Sequence, residues 1–198
     1  MNRASNATVF TIGHSTRPLE EFLELLRASS IECVVDVRRL PGSRAFPQYN
    51  AAALASALHE HDIDYWHLEA LCGRRSKREL HGVPPENFWT NTSFAIYAAY
   101  ARSETFAQGL DELLQRARKQ RCVLMCSEAV WWRCHRRIIT DHLLARGNEV
   151  RHIMGLDNVV SATLTSGAQV RDGEVIYPAN TIVSPEPSTQ LQSQRRTS

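Results

Sequence analysis

The sequence predicts an α/β domain with a mostly parallel sheet flanked by helices, plus a β-hairpin near the C-terminal end. Short apolar runs that are too brief for helices alternate with longer segments of helical periodicity, as in repeated βαβ units. The run at 31–37 is rich in Val and Ile, and the run at 122–126 is apolar throughout, as in strands buried on both faces. The 198 residues are enough for one such domain with its core.

Composition narrows the class of protein. The net charge of +2 and the pI near 8.4 are milder than the pI above about 9 that is typical of nucleic-acid-binding domains. No apolar run approaches the roughly 18 residues of a membrane span, and the first residues lead into no signal-peptide core. Five cysteines without secreted-domain spacing favour reduced thiols. We therefore expect a cytoplasmic protein with no membrane partner, and the oligomeric state stays open.

In the first half of the chain, three apolar segments predict strands and two periodic segments predict helices. Proline and acidic residues in the first turn support the first helix. In chain order these elements are a strand at 8–12, a helix at 18–26, a strand at 31–37, a helix capped by Asn50 that runs to about residue 61, and a strand at 63–68.

In the second half, residues 76–92 show no periodicity and contain Gly82, Pro84 and Pro85, which predicts a long surface loop or lid. Asp172 and Gly173 supply the two positive φ angles of a type I′ turn. The predicted elements are helices at 93–102 and 105–120, a strand ending at Cys126, a helix from Cys134 to about residue 146, a strand at 149–154 and a hairpin at 169–177. The domain is thus expected to span 8–183, between a flexible N-terminus at 1–7 and a disordered tail at 184–198.

Polar residues follow four of the predicted strands. Since parallel strands end at one edge of a sheet, residues far apart in sequence are expected to line one pocket there. These residues are His14, Asp36 with Arg38, Glu69 with Arg74, and Cys126 with Glu128.

Two cysteines are candidate reactive thiols. A thiolate that faces a helix N-terminus and nearby arginines has a lowered pKa, so Cys126 is a candidate nucleophile, although buried structural thiols are also common. Cys134, at the predicted helix start, is the other candidate, with His135 as its acid–base partner. Neighbouring side chains in a helix point about 100° apart, which weakens a direct Cys–His pair. The sequence leaves open which thiol reacts.

An arginine cluster is the candidate anion-binding group, because planar guanidinium suits phosphate and carboxylate. Its members are Arg38, Arg44, Arg74 and Arg136. The alternative is that some of them pair with Asp36 and Glu128 to hold loops together, and an Arg136–Glu128 ion pair is the favoured instance. Asp36 is grouped with the ligand-binding residues.

No metal or other cofactor is required by the sequence, although a metal is possible. Cys126, Cys134, His135 and His14 have suitable ligand types, but their spacing is not that of a common metal clip. Trp131 could stack on nucleic-acid bases with its neighbour at 132, but packing is the favoured role.

The pattern Cys-x-Glu-x5-Cys-His-Arg at 126–136, together with segments 11–15 and 35–38, resembles a bacterial domain-of-unknown-function family, number four hundred eighty-eight. The resemblance covers roughly residues 8–178 and implies no substrate, because that family has no settled activity. Cys72 stands where the family's Leu-Gly-Gly-Arg segment has a glycine. More distantly, the strand–Cys–loop–helix unit looks like rhodaneses and cysteine-dependent phosphatases. Phosphatase chemistry is disfavoured, since position 132 holds Trp where that loop needs Arg.

We expect a cytoplasmic enzyme with a thiol, carboxylate and arginine pocket that acts on an anionic small molecule or nucleotide. Cys126 would be the nucleophile or a thiol ligand, while Glu128 and His14 would transfer protons or orient groups. Two alternatives stay open. One is a non-catalytic nucleic-acid-binding module that uses the arginines at 38–39, 44, 74–78 and 133–137, and the other is a metal-dependent enzyme that uses the same pocket.

Overall fold

The computed structural model describes residues 6–80 and 87–178. The predicted tail at 184–198 and most of the predicted N-terminal segment lie outside these ranges. Within them, no helix combines the length and the apolar character needed to cross a bilayer.

The main sheet has six strands in the order β3-β2-β4-β1-β5-β6, and all neighbours are parallel except the antiparallel pair β5 and β6. This confirms the predicted α/β class. The strands are β1 (Thr8–Gly13), β2 (Cys33–Asp36), β3 (Asp64–His67), β4 (Cys122–Cys126), β5 (Glu149–Gly155) and β6 (Asn158–Ser161).

Helices cover both faces of the sheet. They are α1 (Leu19–Ala28), α2 (Ala51–His59), α3 (Thr92–Tyr100), α4 (Glu104–Ala117) and α5 (Arg136–Ala145). Alternate strand residues face opposite cores, as the pleat requires. Val34 and Val123 pack in the core formed with α1 and α2, whereas Val35 and Leu124 pack in the core formed with α3, α4 and α5. The central strands β1, β2 and β4 are therefore buried on both sides, and the polar groups concentrate at their ends.

Several elements follow directly from local sequence signals. The Ser103 hydroxyl accepts a hydrogen bond from the Phe106 N–H and caps α4. Asp172 and Gly173 have φ angles of 52° and 82°, which confirms the predicted type I′ turn between β7 (Gln169–Arg171) and β8 (Glu174–Ile176). The edge strand β6 was not predicted, because its four residues are all exposed and lack an alternating pattern.

The position of β4 determines where the site forms. The chain places β4 between β1 and β2, although β1 and β2 are consecutive strands in sequence. The backbone N–H of His14 donates to Cys126, and that of Val37 donates to Met125, so three strand ends are joined side by side. The residues that follow these strands therefore meet at one edge of the sheet.

Two local expectations were wrong. The last long helix begins at Arg136, so Cys134 precedes it in extended backbone and His135 occupies the N-cap position. Asn50 precedes α2, but its side chain accepts from the Ser43 N–H and does not cap the helix.

The segment predicted as a loop at 76–92 includes a short 3-10 turn at Lys77–Leu80, and its residues 81–86 lie outside the described residues.

Candidate functional site

A pocket of about 640 Å³ opens at the C-terminal edge of the parallel strands. Its wall comes from the segments that follow β1, β2 and β4, from the turn at 73–74 and from the start of α3. Seven residues singled out from the sequence line it: His14, Arg38, Arg74, Cys126, Glu128, Cys134 and His135. Their side chains come from segments more than a hundred residues apart, as the strand-end argument predicted.

Three other expected site residues do not line this pocket. Asp36 is fully buried beneath the guanidinium of Arg38, and Arg136 is 1% exposed behind Cys134. Arg44 is exposed in the loop after β2 and does not line the pocket, although Ser43 and Phe46 of the same loop do. Direct contact of these three residues with a ligand stays a prediction. In the structure, Asp36 holds Arg38 in place and Arg136 holds Cys134.

Two sulfurs and an imidazole form the floor of the pocket. The Nδ1 atom of His135 lies 3.6 Å from the Sγ of Cys134 and 4.0 Å from the Sγ of Cys126. All three atoms lie within 4.8 Å of one another. The two cysteines are only 4% and 8% exposed, so the sulfurs meet the pocket through a narrow surface.

The extended backbone of Cys134 explains the short Cys134–His135 distance. Neighbouring residues inside a helix would point apart, as was expected, but Cys134 has φ −124° and ψ 149° and lies outside the helix. Its sulfur can therefore approach the following imidazole. The expectation that helix geometry weakens this pair was wrong, because the helix begins later than the apolar pattern indicated.

The buried cation Arg136 lies directly behind this floor. Its Nε donates to the Sγ of Cys134 at 3.3 Å, and an Nη atom donates to the backbone carbonyl of Glu128. The expected ion pair between Arg136 and the Glu128 carboxylate was wrong, since the Glu128 side chain is exposed. Within residues 6–80 and 87–178, Arg136 makes no ion pair with a carboxylate. Because a buried cation needs a compensating charge, the sulfur of Cys134 is its natural anionic partner.

The protonation states of the two thiols differ. Burial by itself raises the pKa of Cys134, but the hydrogen bond from Cys126 and the charge of Arg136 together lower it to about 6. For Cys126, the hydrogen bond to Cys134 and burial raise the pKa to about 12. The guanidinium of Arg136, which donates to Cys134, therefore favours the thiolate form at Cys134 over that at Cys126.

Two glycines make room for this arrangement. A Cβ atom on Gly73 would lie 2.6 Å from the Nδ1 of His135, so only glycine lets the imidazole rest against that turn. A Cβ atom on Gly13 would lie 2.0 Å from the backbone carbonyl of Glu128, so the loop after β4 can cross the end of β1 only over a glycine. The role of Gly73 was not predicted, because this glycine has no signature apart from lying beside a strand end.

The side chains of Asp36, Arg38 and His14 form a second, rigid unit beside the thiols. Arg38 donates to both Asp36 oxygens, and its Nη1 donates to the Nε2 of His14 at 3.2 Å. The Nδ1 of His14 donates to the carbonyl of Ser15, and the ring stacks on Tyr49 at 4.0 Å. Both ring nitrogens are thus engaged. Burial, assisted by the charge of Arg38, lowers the pKa of His14 to about 4, so this neutral imidazole orients Arg38.

Cations without ion-pair partners in the described residues lie at the rim of the pocket. Arg74 and Arg133 are exposed, and neither makes an ion pair there. Arg133 was not among the expected ligand-binding residues, although it belongs to the basic stretch 133–137. Ser15 and Arg74 both have positive φ angles, 51° and 55°, and non-glycine residues in this conformation concentrate at functional sites. Phe46 and Phe94 supply an apolar part of the wall.

The two tryptophans after β4 pack mainly against the protein. The Trp131 ring stacks on His152 at 4.3 Å, and Trp132 contacts Trp131 edge to face while 46% of it stays exposed. His152 also accepts or donates a hydrogen bond with the Thr11 hydroxyl. Trp131 is therefore a packing residue in this structure.

Comparison with known proteins identifies the family of this chain but indicates no activity. No curated protein and no solved structure matches the chain. One family model, described as a domain of unknown function, matches residues 18–143. The match includes the whole thiol and imidazole cluster and Arg38, whereas His14 precedes it. Since this match covers more than half of the chain, the protein belongs to the family Domain of unknown function DUF488.

Proposed function

We propose that this protein is a thiol-dependent enzyme that acts on an anionic small molecule, with Cys134 as its reactive sulfur. The observation that carries the proposal is the buried Arg136, which donates to Cys134 and has no carboxylate partner in the described residues. A guanidinium in this position stabilises a thiolate, and a thiolate is the nucleophilic form of cysteine. Cys126, which was favoured from the sequence, has Ser127 and His135 as its hydrogen-bond partners, and the neighbouring Cys134 and burial together raise its pKa.

The proposed step is a displacement. The Cys134 thiolate forms a bond to an electrophilic atom of the substrate while the leaving group departs with the electron pair of the broken bond and takes a proton from water. The hydroxide that remains then attacks the sulfur-bound group, and the thiolate is restored. The net change is hydrolysis, which needs no oxidant or reductant. The thiol of Cys126 and the imidazole of His135 lie close enough to support the sulfur throughout.

The charges around the pocket favour an anionic substrate. The charge of Arg38 is balanced by Asp36, and that of Arg136 by the thiolate. Arg74 and Arg133 then supply two positive charges at the rim against the single negative charge of Glu128, which leaves an excess of positive charge. Guanidinium binds phosphate and carboxylate through paired hydrogen bonds. The aromatic wall formed by Phe46 and Phe94 suits an apolar or planar part of the same molecule.

Burial and pairing of arginines make the nucleic-acid alternative weaker. Arg38 and Arg136 are buried, Arg75 covers the Tyr100 ring at 4.0 Å, and Arg137 packs over Trp89. These side chains belong to the stretches that a nucleic-acid interface would use. An electrostatic footprint on DNA or RNA needs many free cations, and here several are occupied within the protein.

Competition between two alkylating agents tests the proposal. Iodoacetamide and the anionic iodoacetate are reacted with the reduced protein at pH 7 in the presence of a chelator, and labelled peptides are counted by mass spectrometry. We expect Cys134 to be labelled before Cys126. Relative to free cysteine, we also expect the protein to favour iodoacetate, because the rim is positively charged.

The variants Arg74→Gln and Arg133→Gln should reduce this preference for iodoacetate, whereas Arg44→Gln should leave it unchanged. Arg44 is the matched control, because it is an exposed loop arginine outside the pocket wall. Slow labelling of Cys134 and Cys126 alike would remove thiol chemistry from the proposal. An iodoacetate preference that all three variants share would remove the rim arginines from it.

A further inference from the structure

The geometry points to a second use of the pocket floor: we infer that Cys126, Cys134 and His135 form a binding site for Zn²⁺ with one coordination position open to the pocket. The inference goes beyond thiol chemistry, because a bound ion would occupy the lone pair that the reactive sulfur needs. It uses the same pocket, so the tests must separate the two.

Ligand types and distances fit this ion. Zn²⁺ binds thiolate sulfur at about 2.3 Å and imidazole nitrogen at about 2.0 Å in tetrahedral geometry, which places ligand atoms roughly 3.6 to 3.8 Å apart. The His135 nitrogen lies 3.6 Å and 4.0 Å from the two sulfurs, and all three atoms lie within 4.8 Å of one another. Both nitrogen–sulfur distances are within a few tenths of an ångström of this geometry, and the separation of the two sulfurs has to shrink by at most about 1 Å.

The surroundings hold the ligands in place before any ion binds. Arg136 fixes the sulfur of Cys134 through its Nε, and Gly73 gives the imidazole of His135 a flat backbone surface to rest on. The Tyr97 ring packs edge to face against the same imidazole, with centroids 4.9 Å apart. Groups behind the ligands that restrict their orientation are typical of metal sites.

The number of protein ligands indicates a catalytic metal site and not a structural one. In the described residues, no fourth Cys, His, Asp or Glu atom joins the cluster, and all three members line the pocket. Three protein ligands with an open position are typical of catalytic zinc, whereas structural zinc has four. Two thiolates, Zn²⁺ and the guanidinium of Arg136 sum to one positive charge. The open position would therefore take water, hydroxide or the anionic group of a ligand that the rim arginines attract.

Titration with Co²⁺ tests the inference, because Co²⁺ replaces Zn²⁺ and reports its ligands by absorption. The full chain is reduced with a phosphine, stripped of metal and titrated. We expect one Co²⁺ per chain, a thiolate-to-cobalt charge-transfer band in the near ultraviolet, and loss of the band when Zn²⁺ is added. The variants Cys126→Ser, Cys134→Ser and His135→Gln should each weaken binding by more than about tenfold.

Cys72→Ser is the matched control, because Cys72 is a buried free thiol that donates to the Arg38 carbonyl outside the cluster. It should leave the band unchanged. No band in the folded wild type, or a band that survives both Cys126→Ser and Cys134→Ser, would overturn the site. If a variant does not fold, iodoacetamide mapping of the wild type decides: Zn²⁺ must slow labelling of Cys126 and Cys134 compared with the metal-free protein, and equal labelling with and without Zn²⁺ would overturn the site.

These outcomes also separate this inference from the proposed enzyme. Rapid labelling of Cys134 in chelator without any Co²⁺ band would leave the thiol chemistry standing and remove the metal site. A Co²⁺ band with slow labelling of Cys134 in chelator would leave the metal site standing and remove the thiol chemistry.

Discussion

The substitution Gly73→Ala tests the floor of the pocket without removing any functional group. Gly73 has no positive φ angle, so alanine costs nothing in backbone conformation. Its Cβ atom would lie 2.6 Å from the Nδ1 of His135 and 2.9 Å from the Cε1 atom. The variant therefore acts on the imidazole alone.

The size of the effect follows from these distances. An ordinary carbon–nitrogen contact is about 3.4 Å, so the imidazole must withdraw by roughly 0.8 Å, while a metal ligand tolerates only about 0.2 Å. We expect the affinity for Co²⁺ and Zn²⁺ to fall by about 10- to 100-fold, which corresponds to roughly 1.4 to 2.7 kcal/mol at 25 °C.

The matched control is Gly42→Ala, which also changes a pocket-lining glycine. Its Cβ atom would meet only the Asn50 side chain at 3.7 Å, an ordinary contact. Co²⁺ titration of both variants, with circular dichroism to show that they fold, gives the comparison. An unchanged affinity in folded Gly73→Ala would refute the assignment of His135 as a ligand, and equal losses in both variants would point to a general disturbance of the loops.

Three further predictions concern stability. Burial lowers the pKa of His142 to about 4, against about 6.5 when unfolded, so its contribution to stability is lost as pH falls from about 6.5 to 4. His14 and His152 have pKa values lowered in the same way, so urea unfolding at pH 7 and pH 5 should show a loss of stability that is smaller by about 2 kcal/mol in His142→Gln than in the wild type, whereas the exposed-site control His61→Gln should lose as much as the wild type. Gly13→Ala should lower the free energy of unfolding by about 1 to 3 kcal/mol, because it forces the loop after β4 away from β1; a variant as stable as Gly42→Ala would contradict this. Tyr177→Phe should lower the free energy of unfolding in urea by about 1 to 3 kcal/mol, because the buried Asp141 loses the hydroxyl that donates to it at 2.8 Å. An unchanged free energy of unfolding would mean that this contact does not anchor the hairpin.

The likeness to the family was visible in the sequence because its motifs are local. Cys-x-Glu-x5-Cys-His-Arg occupies eleven consecutive positions, 126–136, and reading it needs no contact between distant segments. The match over residues 18–143 confirms that likeness. The distant likeness to rhodaneses and phosphatases stays a prediction, since no solved structure matches.

The sequence by itself determined all the described strands except β6, the approximate positions of the five helices, and the edge at which the polar strand ends lie. Apolar runs too short for helices, periodic segments and the Asp172–Gly173 turn are local signals, and each gives its element without reference to distant residues. The carboxyl ends of parallel strands then have to lie at the same edge of the sheet. Thus His14, Arg38 and Cys126 could be placed at a common edge before their neighbours were known.

Only the tertiary structure decided which of those residues touch. The insertion of β4 between β1 and β2 depends on the packing of helices on both faces, which no local pattern encodes. The exact start of α5 decided that Cys134, in extended backbone, approaches His135, and a shift of two residues would have separated them. The tertiary structure also decided which groups the charged side chain of Arg136 contacts. Arg136 donates to a sulfur and a backbone carbonyl because burial removes it from the exposed carboxylate of Glu128, and burial is a property of the folded chain.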